Sequence, residues 1–421
     1  MAETENIPKT GLVLTAGGAR GAYQAGVLKR LGEHPAFRDQ PLPFPIIVGA
    51  SAGAINSVYL AAESKDFGLA TRKLAKTWSD LRIQDVFRTD IPSLGIGAAR
   101  WIRDLSCGGL IGGGEVQSLL DSAPLRSLLE KALPMDGIEN SIREGHLYAV
   151  AIAATSYYSG KSVTFIQGKP GHPLWSKTRR ASIPADLTVD HVMASCAIPV
   201  IFQPVKIQFE SGEFYFGDGA LRLVTPFSPA IRLGARRVFA IGIRSQAAAM
   251  ARSRKELSAL SDGHSQKLLM KRPPLAQVFG VTLNAIFLDH LDTDLDHLNR
   301  INELIRAYHA DSITNPEIKE PMYPVDPFLI HPSVDLAEVA ELHGHRMPRF
   351  VRYLMEGLGT SRSQSADLMS YLLFDANFTR DLIDIGYKDA SNHIDELEHF
   401  LRSEKNEATD REARSLERPR E

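Results

Sequence analysis

Ile46-Ile47-Val48-Gly49-Ala50-Ser51-Ala52-Gly53-Ala54-Ile55 decides how this chain of 421 residues is read. Three β-branched residues in a row make a short buried strand. From Ala52 to Ala62 the pattern is helical. Between the two lies Gly49-x-Ser51-x-Gly53, with Ala50 and Ala52 filling the variable places. A strand that turns this sharply into a helix brings the two elements into close crossing, so the flanking residues must be small. The turn holds its central serine in a strained backbone conformation, with the hydroxyl clear of the sheet. The helix N-terminus behind Ser51 favours negative charge developing there.

Upstream, Gly11 to Ala16 reads as another buried strand, and Ala22 to His34 as a helix with Tyr23, Val27, Leu28 and Leu31 on one face. Ala16-Gly17-Gly18-Ala19-Arg20-Gly21 lies between them. Successive glycine amides in such a turn form an anion-binding concavity. Its target is a nucleotide phosphate or an oxyanion. Ala16 stands where the dinucleotide fingerprint needs its first glycine, Asp39 sits in a Pro-rich loop, and no Gly-Lys-Ser/Thr follows. That leaves an oxyanion as the better match, with Arg20 adding a fixed charge or holding the loop by hydrogen bonds. Two strand–turn–helix units in succession open a doubly wound α/β sheet. Far downstream, Asp218-Gly219-Ala220 follows a strand ending at Phe216, where α/β folds place ligands.

Composition narrows the classes. Lys and Arg number 48 against 50 Asp and Glu, which argues against a dedicated nucleic-acid binder. Two cysteines, Cys107 and Cys196, make neither a disulfide framework nor a cysteine zinc site. No apolar run reaches the length of a membrane span, and the run after Met1–Lys9 is too short for a signal peptide. The expectation is an untargeted cytoplasmic protein. Asp292, Asp294, Asp296 and Glu303 imitate a calcium loop, but His297 replaces the required glycine and the apolar spacing is helical.

Gly-Gly-x-Arg-Gly, then Gly-x-Ser-x-Gly, then Asp-Gly-Ala, in that order, resemble the patatin-like phospholipase family. Ala194-Ser195-Cys196-Ala197-Ile198-Pro199 and the Thr225–Ala235 segment extend the likeness over residues 10–245, and Leu368–Ala390 resembles the helical extension of bacterial members. The resemblance implies a three-layer α/β/α fold with a mostly parallel sheet and a helical C-terminal extension. It implies a Ser–Asp dyad, Ser51 as nucleophile and Asp218 as general base, with Gly17 and Gly18 lining an oxyanion hole and Arg20 and Gly21 beside it. No metal or other cofactor is required. The substrate would be a phospholipid, lysophospholipid or other lipid ester, met peripherally at a membrane surface. A transacylase using the same acyl-enzyme and a non-catalytic lipid-binding protein are the alternatives. Ala16 in place of glycine and Leu223-Val224 in place of asparagine depart from the family pattern.

The domain reading has five parts: a lead-in over 1–10, a catalytic domain over 11–245, and a linker or mobile loop over 246–275. A mainly helical region with one late strand follows over 276–400, then a charged tail over 401–421. The stretch 83–114 mixes apolar residues with glycines and reads as a lid, a binding loop or a disordered stretch, with core packing an equal alternative; as a lid it would place Trp101 at a lipid entrance. His290 and His331 are the best-placed histidines for a triad. Oligomerisation is left open.

Overall fold

The computed structural model describes residues 9–88, 118–261, 291–310, 323–348, 352 and 362–402. Residues 89–114 of the 83–114 stretch, Trp101, Cys107, His290, most of the lead-in and most of the tail lie outside the described residues; Val86 and Phe87, at the start of that stretch, are buried in the core.

The sheet is nine-stranded and mixed, and most of its central pairs are parallel. Strands β1 (Lys9–Leu14), β2 (Ile46–Ala50), β3 (Ala149–Ser156), β4 (Ser162–Gly168), β5 (Arg180–Pro184), β6 (Val205–Phe209), β7 (Gly212–Asp218), β8 (Ala235–Ile241) and β9 (Asp326–Ile330) build it. The order is β5-β4-β3-β2-β1-β8-β9, with the β6–β7 hairpin joined to β3. β3, β2, β1, β8 and β9 run parallel to one another, as βαβ crossovers require, while β4 and β7 pair with β3 antiparallel. Both faces are covered, so β1, β2 and β3 are buried nearly throughout. One core holds Leu12, Leu14 and Ile47; the other holds Val13, Ile46 and Val48, the alternation a strand imposes.

Helix α1 (Gly21–Gly32) follows β1, α2 (Ala52–Ala62) follows β2, and α3 (Phe67–Asp80) begins at Asp66, whose carboxylate caps it by accepting from Leu69 N–H at 2.8 Å. Three local readings need correction, and one strand went unread. The apolar spacing over 116–133 predicts an amphipathic helix broken near Pro124; among the described residues the helix runs from Ala123 to Ala132, because Pro124 fits the first turn of a helix but not its interior. β5 was not legible, being a five-residue edge strand without alternation. Residues 246–261 of the expected linker form a helix. Lys9 and Thr10, read as lead-in, belong to β1 and pair with β8.

The C-terminal region shares the core of the first half. β9 extends the sheet beside β8. The helix Ala376–Asn392 packs along α1 so closely that a β-carbon on Gly26 would fall 2.1 Å from Ile383 O. Tyr23 donates to Asp389 Oδ2 at 3.0 Å across that contact. Asp292, Asp294, Asp296 and Glu303 ride on the helix Leu291–Ala310.

Candidate active site

The register of the sheet brings the two expected reacting side chains together. Ala50, the last residue of β2, pairs with Ala153 of β3. Asp218, the last residue of β7, pairs with Ala154. β4 occupies the other edge of β3 from Ala149 to Thr155, so β2 and β7 share one edge and meet end to end. Ser51 follows Ala50 at that junction.

Ser51 has φ 53° and ψ −124°, a left-handed conformation that is costly for any residue with a side chain. Two contacts fix it. Ser51 N–H donates to Ser195 Oγ at 2.9 Å, and Ser195 Oγ–H donates to Ala153 O at 2.6 Å. Gly53 has no alternative at its position, since a β-carbon there would fall 2.1 Å from Leu14 O.

Asp218 is fully buried. Its N–H donates to Ala197 O at 2.9 Å, and its carbonyl accepts from Thr155 Oγ1 at 2.8 Å. Oδ1 accepts from Ala220 N–H at 2.8 Å. Oδ2 is buried without a well-formed hydrogen bond. Burial pushes the carboxyl up to about 7, while the Ala220 amide and the nearby Ser51 hydroxyl pull it down. Among the described residues no cation offsets the burial, and that is why the shift is upward. Gly219 lies against Ala153 and leaves no room for a side chain. Tyr157 lies over Gly217 and feels the Asp218 charge, which together with burial raises its phenol.

Gly18, at φ +53°, approaches Tyr371 so closely that a β-carbon would fall 2.2 Å from Tyr371 O. Among the described residues the Gly17 and Gly18 amides have no acceptor, so they are available to an oxygen at the site. Gly21 opens α1 against Ala52 and Trp78. Arg20 turns away from the reacting groups. Its Nε donates to Ser370 Oγ at 2.8 Å and its Nη2 to Asp367 Oδ1 at 2.5 Å, and the guanidinium stacks 4.3 Å from the Tyr371 ring centre. Of the two roles open to Arg20 in the sequence, the geometry fits holding the loop.

A narrow apolar cavity of about 60 Å³ leads from Gly18 and Ser51. Ala52, Ile55 and Tyr59 of α2 line one side, Leu74 and Trp78 of α3 another, and the helix Ala123–Ala132 closes it with Leu125 and Leu129. Cys196 lines it too, and burial holds its thiol protonated. Trp78 Nε1–H donates to Asn56 Oδ1 at 2.8 Å, and Asn56 Nδ2 donates to Gly21 O at 3.1 Å, tying the cavity wall to the glycine loop.

A family model for patatin-like phospholipase matches residues 12–231. This chain belongs to the patatin-like phospholipase family. Membership supports lipid acyl hydrolysis as the class of activity. No curated protein matches the chain. Among solved structures, human GIVD cytosolic phospholipase A2 bound to methyl γ-linolenyl fluorophosphonate aligns at 12% identity and TM-score 0.41, over 96% of this chain and 60% of its own. VipD from Legionella pneumophila aligns at 12% identity and TM-score 0.27, over 89% and 67%. ExoU of Pseudomonas aeruginosa, solved with SpcU, aligns at 14% identity and TM-score 0.25, over 86% and 68%. The chain thus spans 60% of the length of the human phospholipase chain.

His331 follows β9, three strand positions from β2 and so roughly 14 Å from the elbow. Its Nε2 lies 3.5 Å from Asp292 Oδ1. Among the described residues no cluster of His, Cys, Asp and Glu is gathered for a metal, and no helix is long and apolar enough to cross a membrane. Sequence reasoning assigned no role to Ser195 or Tyr157. Ser195 was visible only as part of the Ala194–Pro199 likeness, and Tyr157 carried no signal.

Proposed function

We propose that the patatin-like protein is a serine lipid acyl hydrolase of the phospholipase A, lysophospholipase or carboxylesterase type. Ser51 is the nucleophile and Asp218 the general base. The observation that supports this most directly is the juxtaposition of a strained Ser51 with a buried carboxylate whose Oδ2 has no well-formed hydrogen bond, at the head of an apolar cavity.

The Ser51 proton passes to Asp218 Oδ2 as Oγ attacks the ester carbonyl. The carbonyl oxygen becomes an oxyanion facing the Gly17 and Gly18 amides; losing one such donor typically costs about 3–4 kcal/mol. The tetrahedral species collapses, the alkoxide leaves with the proton from Asp218, and the acyl group stays on Ser51. Water then gives a proton to Asp218 and attacks the acyl-enzyme. The acid departs and the proton returns to Ser51. A base poised near 7 is matched to this work at neutral pH.

The cavity follows α2 from Ser51 to Tyr59, about 12 Å at 1.5 Å per residue. Its apolar lining suits an acyl chain. Tyr157, Tyr158 and Tyr215 are exposed on the β3–β4 turn and the β6–β7 hairpin, Tyr158 at 83%. These elements extend past the end of β3 that bears the junction with Asp218. Exposed tyrosines suit the boundary between lipid and water and support peripheral contact with a membrane.

The test is labelling with a fluorophosphonate probe and mapping of the adduct, alongside a panel of lipid and p-nitrophenyl esters. An adduct on Ser51, and turnover that vanishes in Ser51→Ala and in Asp218→Ala, is expected. An adduct elsewhere, or full turnover in Ser51→Ala, overturns the reading.

A further inference from the structure

A second cavity, of about 770 Å³, lies on the other face of the sheet, beside the core built from Val13, Ile46 and Val48. It is lined by two arginines. Arg180 Nη1 donates to Thr225 Oγ1 at 2.7 Å and to Ser228 Oγ at 2.9 Å. Its remaining nitrogens have no acceptor among the described residues. Arg232 has no hydrogen-bond acceptor there at all, and its Nε is buried. Its guanidinium carbon lies 5.9 Å from the Trp175 ring centre.

The two guanidinium charges oppose each other. Burial and the Arg232 charge both lower the Arg180 pKa. One carboxylate, Asp294, lines the cavity and partly offsets them, and its Oδ2 accepts from Phe227 N–H at 2.9 Å. Two fixed positive charges therefore face one carboxylate, with His297 also on the wall. A buried guanidinium nitrogen without a partner is costly, and an anion accepting from both forks would relieve it. Planar forks with several free N–H groups match a tetrahedral oxyanion better than a single lysine would.

We propose that this cavity binds a phosphate group, carried by a soluble ester or by a lipid headgroup, through Arg180 and Arg232. The Thr225 and Ser228 hydroxyls stand beside the anion and already orient Arg180. The volume exceeds that of a lone phosphate and leaves space for the carried group between Trp175 and Tyr323. The site does not share a wall with the Ser51 cavity, and the proposal stands or falls apart from the hydrolase reading.

The full chain carrying Ser51→Ala, which excludes turnover, is titrated calorimetrically with inorganic phosphate and with glycerol 3-phosphate. It is also floated with phosphatidylcholine vesicles with and without phosphatidic acid. One saturable site for at least one phosphate-bearing probe is expected, with a dissociation constant below about 1 mM. Adding Arg232→Gln should weaken it at least about tenfold, and Arg180→Gln with Arg232→Gln should remove it, while Lys206→Gln, on an exposed strand, leaves it unchanged. Arg232 has no hydrogen bond to lose, so Arg232→Gln is a mild change for folding. Flotation that depends on phosphatidic acid and on both arginines assigns the phosphate to a headgroup. Binding of the soluble ester without such flotation assigns it to a soluble ligand. No saturable binding of any probe, or undiminished binding in the double substitution, overturns the proposal.

Discussion

Asp218 and Asp367 are both buried, and their surroundings differ completely. Asp367 gives Oδ1 to Arg20 at 2.5 Å and Oδ2 to Arg244 at 2.8 Å. Asp218 has one amide on Oδ1 and an Oδ2 with no well-formed bond. A buried carboxylate with two guanidinium partners is a fastener, since its charge is fully engaged. One left facing only a hydroxyl holds its proton to about pH 7 and can exchange it. Environment, not residue type, separates anchor from reagent.

The sharpest way to break this comparison is to exchange the properties each aspartate should lack. Asp218→Asn should cut ester turnover by about a thousandfold or more, as loss of a general base does, with the fold intact by circular dichroism. The same substitution should raise stability above neutral pH. Between about 4 and 7 the folded chain keeps a proton on Asp218 that the unfolded chain has lost, so stability falls as pH rises through that window. Asp218→Asn removes that loss, by up to about 4 kcal/mol at pH 8 and nothing at pH 3.5. Urea melts at both pH values check it. Asp367→Ala should do the opposite. It takes the carboxylate from two guanidinium groups and should destabilise by about 3 kcal/mol, without introducing a new inflection in the pH profile of the surviving activity.

Smaller effects sharpen the contrast. In the wild-type chain kcat/KM should fall about tenfold per pH unit below an inflection near 7, reporting Asp218 in the free enzyme. A profile flat from pH 5 to 8 would remove Asp218 as base. Ile55→Phe should narrow the slot one turn beyond Ser51. It should lower kcat/KM for a decanoyl ester about tenfold while sparing an acetyl ester.

Legibility in the sequence follows the same division. Gly49–Gly53, Gly17-Gly18 and Asp218-Gly219 could be singled out because each is a short segment marked locally by its glycines and its position after a strand. The anchors could not. Arg20 and Asp367 lie 347 residues apart, and nothing near either names the other. Ser195, which holds the Ser51 amide, is one serine in an apolar helix, and only the register of β3 gives it meaning. Strand β5 and the Arg180–Arg232 pair were invisible for the same reason, being products of pairing between distant segments.

The contact of Gly18 and Arg20 with residues 367–371 has a consequence for the order of events at the ribosome. A chain grows from its N-terminus at about 5–20 residues per second. Ser370, on the helix that clasps the glycine loop, is made 350 residues after Arg20. The half-made chain carries its serine elbow without a finished cradle. The cradle is thereby finished only once that helix has been made.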